Sequence, residues 1–234
     1  MPVLRDTSLQ RTSLRDQALA AIRHALVTGQ IVPGTVYSAA SLAAELGVSN
    51  SPVREAMLAL VDDGLMEAVP NRGYRPTTLT DADMAEIAQL RLFLEVPAAA
   101  EAADADLGDR LDTLTALAET IEQTAAHGDL AGNLEADRQF HLLLVDACGN
   151  RRLTATVARL RDQTRLYNLG NLAARGALTA SAAEHRPLLA AIASHDRLKA
   201  DMLMRQHLAH IRGDWSAPTP HPGPGRPDES SRLT

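Results

Sequence analysis

The chain has 234 residues, 45% of them hydrophobic and only 3% aromatic, with a formal net charge of −6. That length allows one large or two modest domains, and the shortage of aromatics suits an alanine- and leucine-packed helical protein. The acid excess is unpromising for a nucleic-acid binder, but it is uneven. Residues 1–80 carry 7 Arg, no Lys and 7 Asp/Glu, so the whole of the −6 falls in the remainder. A neutral first part with locally placed arginines permits DNA binding, which the acidic part would oppose. The single cysteine, Cys148, excludes an internal disulfide and fits a reducing compartment. With no signal pattern and no apolar run of membrane-spanning length, a cytoplasmic protein is expected.

Residues 1–12 are polar and irregular, and a flexible arm is expected there. Ser13 and Asp16 have the form of a capping box and open a helix that Gly29 ends. Ile31–Gly34 is a turn, and Val36-Tyr37 suits a short strand. Leu42, Ala43 and Leu46 give the next helix its apolar face, stopped by Gly47. Ser49 or Ser51 can cap the helix after it, with Pro52 in its first turn. There Val53, Ala56, Met57, Leu60 and Val61 recur at three- and four-residue steps, while Asn50, Ser51, Arg54 and Glu55 make the opposite face. A helix that buries its back and offers a polar, cationic N-terminal face is built like a recognition helix, although an ordinary helical hairpin shows the same pattern. Strands at Leu65–Val69 and Tyr74–Thr77 flank a Pro-Asn-Arg-Gly turn, which completes a winged helix-turn-helix. Ser49, Asn50, Ser51 and Arg54 are therefore the candidate base and backbone contacts, with Arg72, Gly73 and Arg75 of the wing against phosphates.

These residues resemble the N-terminal domain of the GntR family of bacterial transcription regulators. The matching elements are the G-x-I-x-P-G turn (Gly29–Gly34), LGVS (Leu46–Ser49), PVREA (Pro52–Ala56) and the NRGY wing (Asn71–Tyr74). The resemblance departs at Asn50, where family members often carry Arg. Arg pairs bidentately with guanine and Asn prefers adenine, so the operator base read here should differ.

From Thr78 the chain is helix after helix. One is expected from Thr80 or Asp81 to about Asp104, and others at roughly 107–127, 129–148, 150–171, 181–195 and 196–213. Ser181 and Glu184 form a capping box for the fifth of these, and Pro187 should kink it. The five prolines from residue 217 onward suggest a disordered tail over 214–234. The expected fold is mainly α: a winged domain at 13–77, then an all-α antiparallel bundle at 78–213. Asp137 and His141 lie four residues apart on one helix face, and His185 and His207 sit on two later helices. One carboxylate and three imidazoles could bind Zn, with Ni, Fe or Mn as alternatives, or could be scattered polar residues, and His210, one turn from His207, could compete for its role.

The order D-x-x-x-H, His, His resembles the FCD domain, the helical effector domain of the FadR-like branch of that family. R-x-x-x-E (Arg91, Glu95), D-R-Q-F-H (Asp137–His141), C-G-N (Cys148–Asn150), E-H-R-P-L-L (Glu184–Leu189) and H-L (His207, Leu208) carry the match. The resemblance implies a divalent metal on Asp137, His141, His185 and His207 with a small organic acid beside it. It also implies that Arg91 faces that pocket and pairs with a ligand carboxylate or with Asp137; the alternative is a surface pair with Glu95. Arg165 and Asn168 are further effector-binding candidates. The implied function is a homodimeric repressor on palindromic double-stranded DNA, released when the effector shifts the first helix after Thr80. Two other readings are a DNA-binding regulator with a purely structural metal and a metalloenzyme, although no further acid or base accompanies the four ligands.

Overall fold

The computed structural model describes residues 13–167 and 177–215. The arm expected at 1–12 and the tail beyond residue 215 lie outside the described residues. The elements are α1 (Leu14–Val27), α2 (Ala39–Leu46), α3 (Asn50–Asp62), β1 (Met66–Val69), β2 (Gly73–Pro76), α4 (Asp81–Asp104), α5 (Arg110–His127), α6 (Leu130–Asp146), α7 (Arg151–Tyr167), α8 (Ala177–Ala183), α9 (His185–Ala193) and α10 (Arg197–Trp215). The architecture is mainly α, a winged helix-turn-helix followed by a helical bundle.

In the first part Ile22 and Leu26 of α1, Leu42 of α2 and Val53, Met57 and Leu60 of α3 share one core with Leu65 and Met66. Ser13 caps α1 by accepting from the Asp16 amide at 3.1 Å, and Gly47 ends α2 at φ 67°. Ser49 is the N-cap residue of α3 but makes no side-chain capping bond. β1 and β2 form the antiparallel wing, pairing Glu67 with Arg75 and Val69 with Gly73. The short strand expected at Val36-Tyr37 is a single bridge: Tyr37 donates to the Tyr74 carbonyl at 2.7 Å and accepts from its amide at 2.9 Å. That close approach explains Gly73, which has φ 134° and where a Cβ would collide with the Tyr37 carbonyl oxygen.

Thr80 and Asp83 close a reciprocal capping box that starts α4. The bundle core joins Val96 of α4, Leu114 and Ile121 of α5, Phe140 and Leu144 of α6, Leu188 and Ile192 of α9, and Met204 of α10. Gly149, at φ 69°, turns the chain after α6, and the Asn150 side chain then accepts from the Arg152 and Leu153 amides to start α7. The C-G-N run is thus a helix stop followed by a helix cap.

Two expectations are corrected here. The helix expected over 181–195 is two helices, α8 and α9, with Glu184 between them. Ser181 lies inside α8 rather than capping a helix, and Pro187 falls in the first turn of α9, where no intrahelical hydrogen bond is lost. The break satisfies the proline one turn earlier, so a kink is not needed. At the other end, α10 includes Asp214 and Trp215, so the bundle runs two residues past the expected boundary.

Replacing Gly73 with alanine should cost about 1–3 kcal/mol by forcing a side chain into a glycine-only backbone region. Hydrogen exchange should speed up at the Tyr37 and Tyr74 amides, and unchanged exchange there would contradict this account of the wing.

Candidate metal centre and nucleic-acid interface

Asp137 and His141 come from one face of α6, His185 is the first residue of α9, and His207 lies midway along α10. Candidate ligand atoms from these four residues all lie within 4.8 Å of one another. The imidazoles are 0%, 1% and 2% exposed for His141, His185 and His207. The Phe140 ring packs edge-on against His141 and His185, with centroids 5.5 and 4.9 Å away, and His141 stacks on His207 at 5.0 Å. The Phe140 ring therefore walls one side of the polar cluster.

The ring nitrogens are unevenly served. His185 Nδ1 lies 3.1 Å from the Ala182 carbonyl and its Nε2 lies 3.2 Å from Asp137 Oδ1. His207 Nδ1 lies 2.8 Å from Glu184 Oε2, while its Nε2 is buried without a partner. His141 approaches Glu95 at 3.4 Å and Asp137 at 3.6 Å, yet neither ring nitrogen has a hydrogen bond. Buried nitrogens left unpaired cost about 1–3 kcal/mol each, so a ligand that uses their lone pairs is favoured. Imidazole and carboxylate donors suit a divalent transition metal, and the donor set fits one.

Beneath the cluster lies a buried ionic frame. Glu95, fully buried, accepts from Arg91 Nε at 2.7 Å and from Arg161 Nε at 2.9 Å, with a further short contact to Arg161 Nη2. Arg161 Nη1 also donates to Asp137 Oδ2 at 2.9 Å. Burial alone would raise the Asp137 carboxyl, but the Arg161 guanidinium and the two nearest imidazoles hold it well below the ordinary carboxylate range. The same balance keeps Glu95 ionised: burial opposes the charge and Arg161 and then Arg91 outweigh it. Burial, then the neighbouring Arg91, pull Arg161 down to about 10, so it stays cationic near neutral pH. Burial, reinforced by Arg161, pushes His141 well below its ordinary value of 6.5, and burial also lowers His207.

Arg91 is thus neither a surface partner of Glu95 nor the partner of Asp137. It is 3% exposed, bonds Glu95 inside the bundle and leaves Nη2 buried without a hydrogen bond. The partner of Asp137 is Arg161, which the sequence reading missed. Its signal was present: Val157, Leu160, Arg161 and Thr164 recur at helical spacing and all are buried, so an arginine sits on the inner stripe of α7. The side chain of Arg165 and the whole of Asn168 lie outside the described residues.

In the winged part Ser49, Asn50, Ser51 and Arg54 lie exposed at the start of α3. The Ser51 hydroxyl donates to Glu55 at 3.2 Å. Arg72 is exposed at the wing tip beside Gly73, and Arg75 is tied to Glu67 across the wing at 2.9 Å. Arg54 and Arg72 form no ion pair with a described residue.

The two parts touch through α7. Gln163 Nε2 donates to the Asp63 carbonyl at the end of α3 (3.0 Å), and Arg23 of α1 pairs with Asp63 at 2.8 Å and lies 3.6 Å from Asp162. Asp162 also accepts from Arg138 of α6 at 2.7 Å. Gly64, at φ 73°, makes room for this approach, because a Cβ there would strike the Gln163 amide.

Residues 14–75 match the family of bacterial regulatory proteins, gntR family, and residues 86–210 match the FCD domain. An uncharacterized HTH-type transcriptional regulator from the TAR-I ttuE-ttuC' intergenic region of Agrobacterium vitis is 36% identical over 134 residues, which cover 56% of this chain and 78% of that protein. A probable D-xylose utilization operon transcriptional repressor of Paenarthrobacter nicotinovorans is 27% identical, with 86% and 88% of the two chains aligned. The solved structure of E. coli McbR/YncC superposes with a TM-score of 0.75 at 25% identity, covering 88% of this chain and all of that one.

Because His141 and His207 titrate lower in the fold than in the unfolded chain, the unfolded chain binds more protons below about pH 6.5, and stability falls as pH falls. This contribution is complete above about pH 7. The metal-free protein should therefore melt progressively earlier between about pH 7 and pH 5, and His141→Gln should flatten that slope. A melting temperature independent of pH across this window would contradict the buried neutral imidazoles.

Proposed function

Since the chain belongs to the GntR family of bacterial regulatory proteins, in the FadR-like branch with a C-terminal FCD domain, we propose that it is a homodimeric repressor released from its operator by a small carboxylate bound at a metal site. It is a DNA-binding transcription regulator and not an enzyme. Among the described residues no helix is long and apolar enough to cross a membrane. In this reading residues 13–77 read DNA, and residues from 78 onward sense the effector and dimerise.

The observation that carries the reading is the convergence of Asp137, His141, His185 and His207, with both ring nitrogens of His141 and Nε2 of His207 buried and without a hydrogen bond. These four would hold a divalent cation, zinc first among the candidates. When bound, such a cation supplies a Lewis-acidic point for a carboxylate oxygen. Charge counting favours an acid as the effector. Arg91 and Arg161 already balance Glu95 and Asp137, so a divalent ion among neutral imidazoles leaves positive charge in a largely buried cluster. The buried Arg91 Nη2, which has no hydrogen bond, is a donor that such an acid could meet.

Arg161, Asp162 and Gln163 are consecutive residues of α7. The first touches the sensor cluster, and the other two touch Arg23 of α1 and the residue that follows α3. An acid that competes for the Arg161 guanidinium would loosen its hold on Asp137 and Glu95 and shift α7 against the winged part. The expected route through α4 is not displaced, because Arg91 and Glu95 lie on it; α7 adds a shorter one. On the DNA side Arg54 would read guanine or grip a phosphate, Asn50 would favour adenine, and Arg72 and Arg75 would lie along phosphates with the Gly73 backbone. For the dimer, Leu90 and Phe93 (65% exposed) of α4 and Leu198 (83%) and Met202 of α10 offer large apolar side chains on two helices that pack together.

An operator selected from random DNA, followed by affinity measurements with zinc and a panel of small carboxylates, tests this reading. An effective acid should weaken wild-type binding about 5–150-fold, the usual range of coupling between sites. His141→Ala and His207→Ala should bind DNA but ignore the acid. Asp162→Asn should keep zinc and DNA binding while losing most of the response. A full response in the histidine variants would overturn the sensor.

A further inference from the structure

Each imidazole of the cluster has an outer neighbour at Nδ1, and these neighbours differ in kind. His185 faces the Ala182 backbone carbonyl at 3.1 Å. His141 lies 3.4 Å from Glu95, which is already committed to two guanidiniums and makes no hydrogen bond to the ring. His207 has a side-chain hydrogen-bond partner, Glu184, at 2.8 Å. Among these contacts it is therefore the one in which a single side chain fixes a ring.

Glu184 is also the residue at which α8 ends and α9 begins. Its backbone stays helical there, at φ −76° and ψ −20°, so its side chain and that of His185 diverge by about 100°, as neighbours on a helix do. The two therefore approach the cluster from different sides: His185 reaches Asp137, while Glu184 reaches His207. Glu184 keeps a 24% exposed side chain, and His207 is 2% exposed, so the carboxylate lies at the rim and the ring inside.

We infer that Glu184 is a positioning residue of the metal site, holding His207 in the Nδ1–H tautomer so that its unpartnered Nε2 is the ligand atom. The inference rests on the metal-site reading above. An imidazole that donates Nδ1–H to a carboxylate has its ring orientation and tautomer fixed and is a more basic ligand at Nε2. Without the carboxylate, the proton can occupy Nε2 and block the lone pair, or the ring can turn over.

The test uses the full chain as wild type, Glu184→Ala and Glu184→Gln. Zinc affinity is measured by competition with a chromophoric chelator, and the His207 tautomer of the metal-free protein is read by 15N NMR of the ring nitrogens. Glu184→Ala should bind zinc about 10–100-fold more weakly, the range seen when outer partners of metal ligands are removed. Glu184→Gln keeps an acceptor oxygen, so it should retain the Nδ1–H tautomer and lose less affinity than alanine. A purely structural role would lower the melting temperature without changing the tautomer, and that result overturns the inference. So does zinc affinity in Glu184→Ala within about twofold of wild type, a change too small to set against the expected loss. If alanine does not fold, the glutamine variant decides: affinity equal to wild type is the contrary result. A wild-type protein that takes up neither zinc nor nickel nor manganese defeats the metal-site reading and this inference together.

Discussion

A fully buried carboxylate, Glu95, clamped between Arg91 and Arg161 sets the conditions for everything around it. Burying one ion costs several kcal/mol after relaxation, and a pair recovers that only with good geometry and satisfied hydrogen bonds. Here the geometry comes from three helices. α4 supplies Arg91 and Glu95 one turn apart, α7 supplies Arg161, and α6 supplies Asp137 as the second anion for Arg161. Removing Arg161 would leave Glu95 with Arg91 alone and take from Asp137 its guanidinium partner. The frame therefore holds α4, α6 and α7 in one arrangement, and α6 is the helix that carries Asp137 and His141 to the cluster.

That frame also accounts for the chemistry of the site. Cationic Arg161 keeps Asp137 ionised and disfavours protons on His141. The result is a buried His141 held neutral beside an ionised carboxylate, the protonation state a transition metal requires of such ligands. The same arginine begins the three-residue run on α7 that reaches Asp63 and Arg23. One side chain thus belongs both to the sensor and to the helix that touches the DNA-binding part. A switch needs two arrangements of comparable energy, and a buried ion network with one donor of Arg91 unmet is suited to supply a second when an anion arrives.

Much of this was legible in the sequence because the signals were local. Apolar spacing, Gly47, the hairpin turn and the Thr80 cap located the winged helices and the start of α4 within a residue or two. The four cluster residues were legible as a motif, since a helix places residues four apart on one face and family resemblance supplied the other two. What was not legible depended on distance in the chain. Arg161 meets Glu95 across 66 positions and Glu184 meets His207 across 23, and periodicity says nothing of such pairs. Arg91 was read as a choice between pocket and surface because the i,i+4 spacing to Glu95 looks the same on either face of a helix. The buried residues Ile87, Ala88, Ala98 and Ala99 on the same stripe of α4 place it inside. Pro187 leads to the expectation of a kink where the helices instead part at Glu184, because a proline is as comfortable in the first turn of a new helix as at a kink in an old one.

Native mass spectrometry of the untagged protein, before and after chelation, separates a metal-dependent sensor from a regulator that works without metal. The expected result is a dimer that carries one divalent transition metal per chain, loses it to chelator, and retains a small acid only while the metal is present. A dimer that binds operator DNA with no metal in either state would contradict the sensor and leave a regulator controlled by other means.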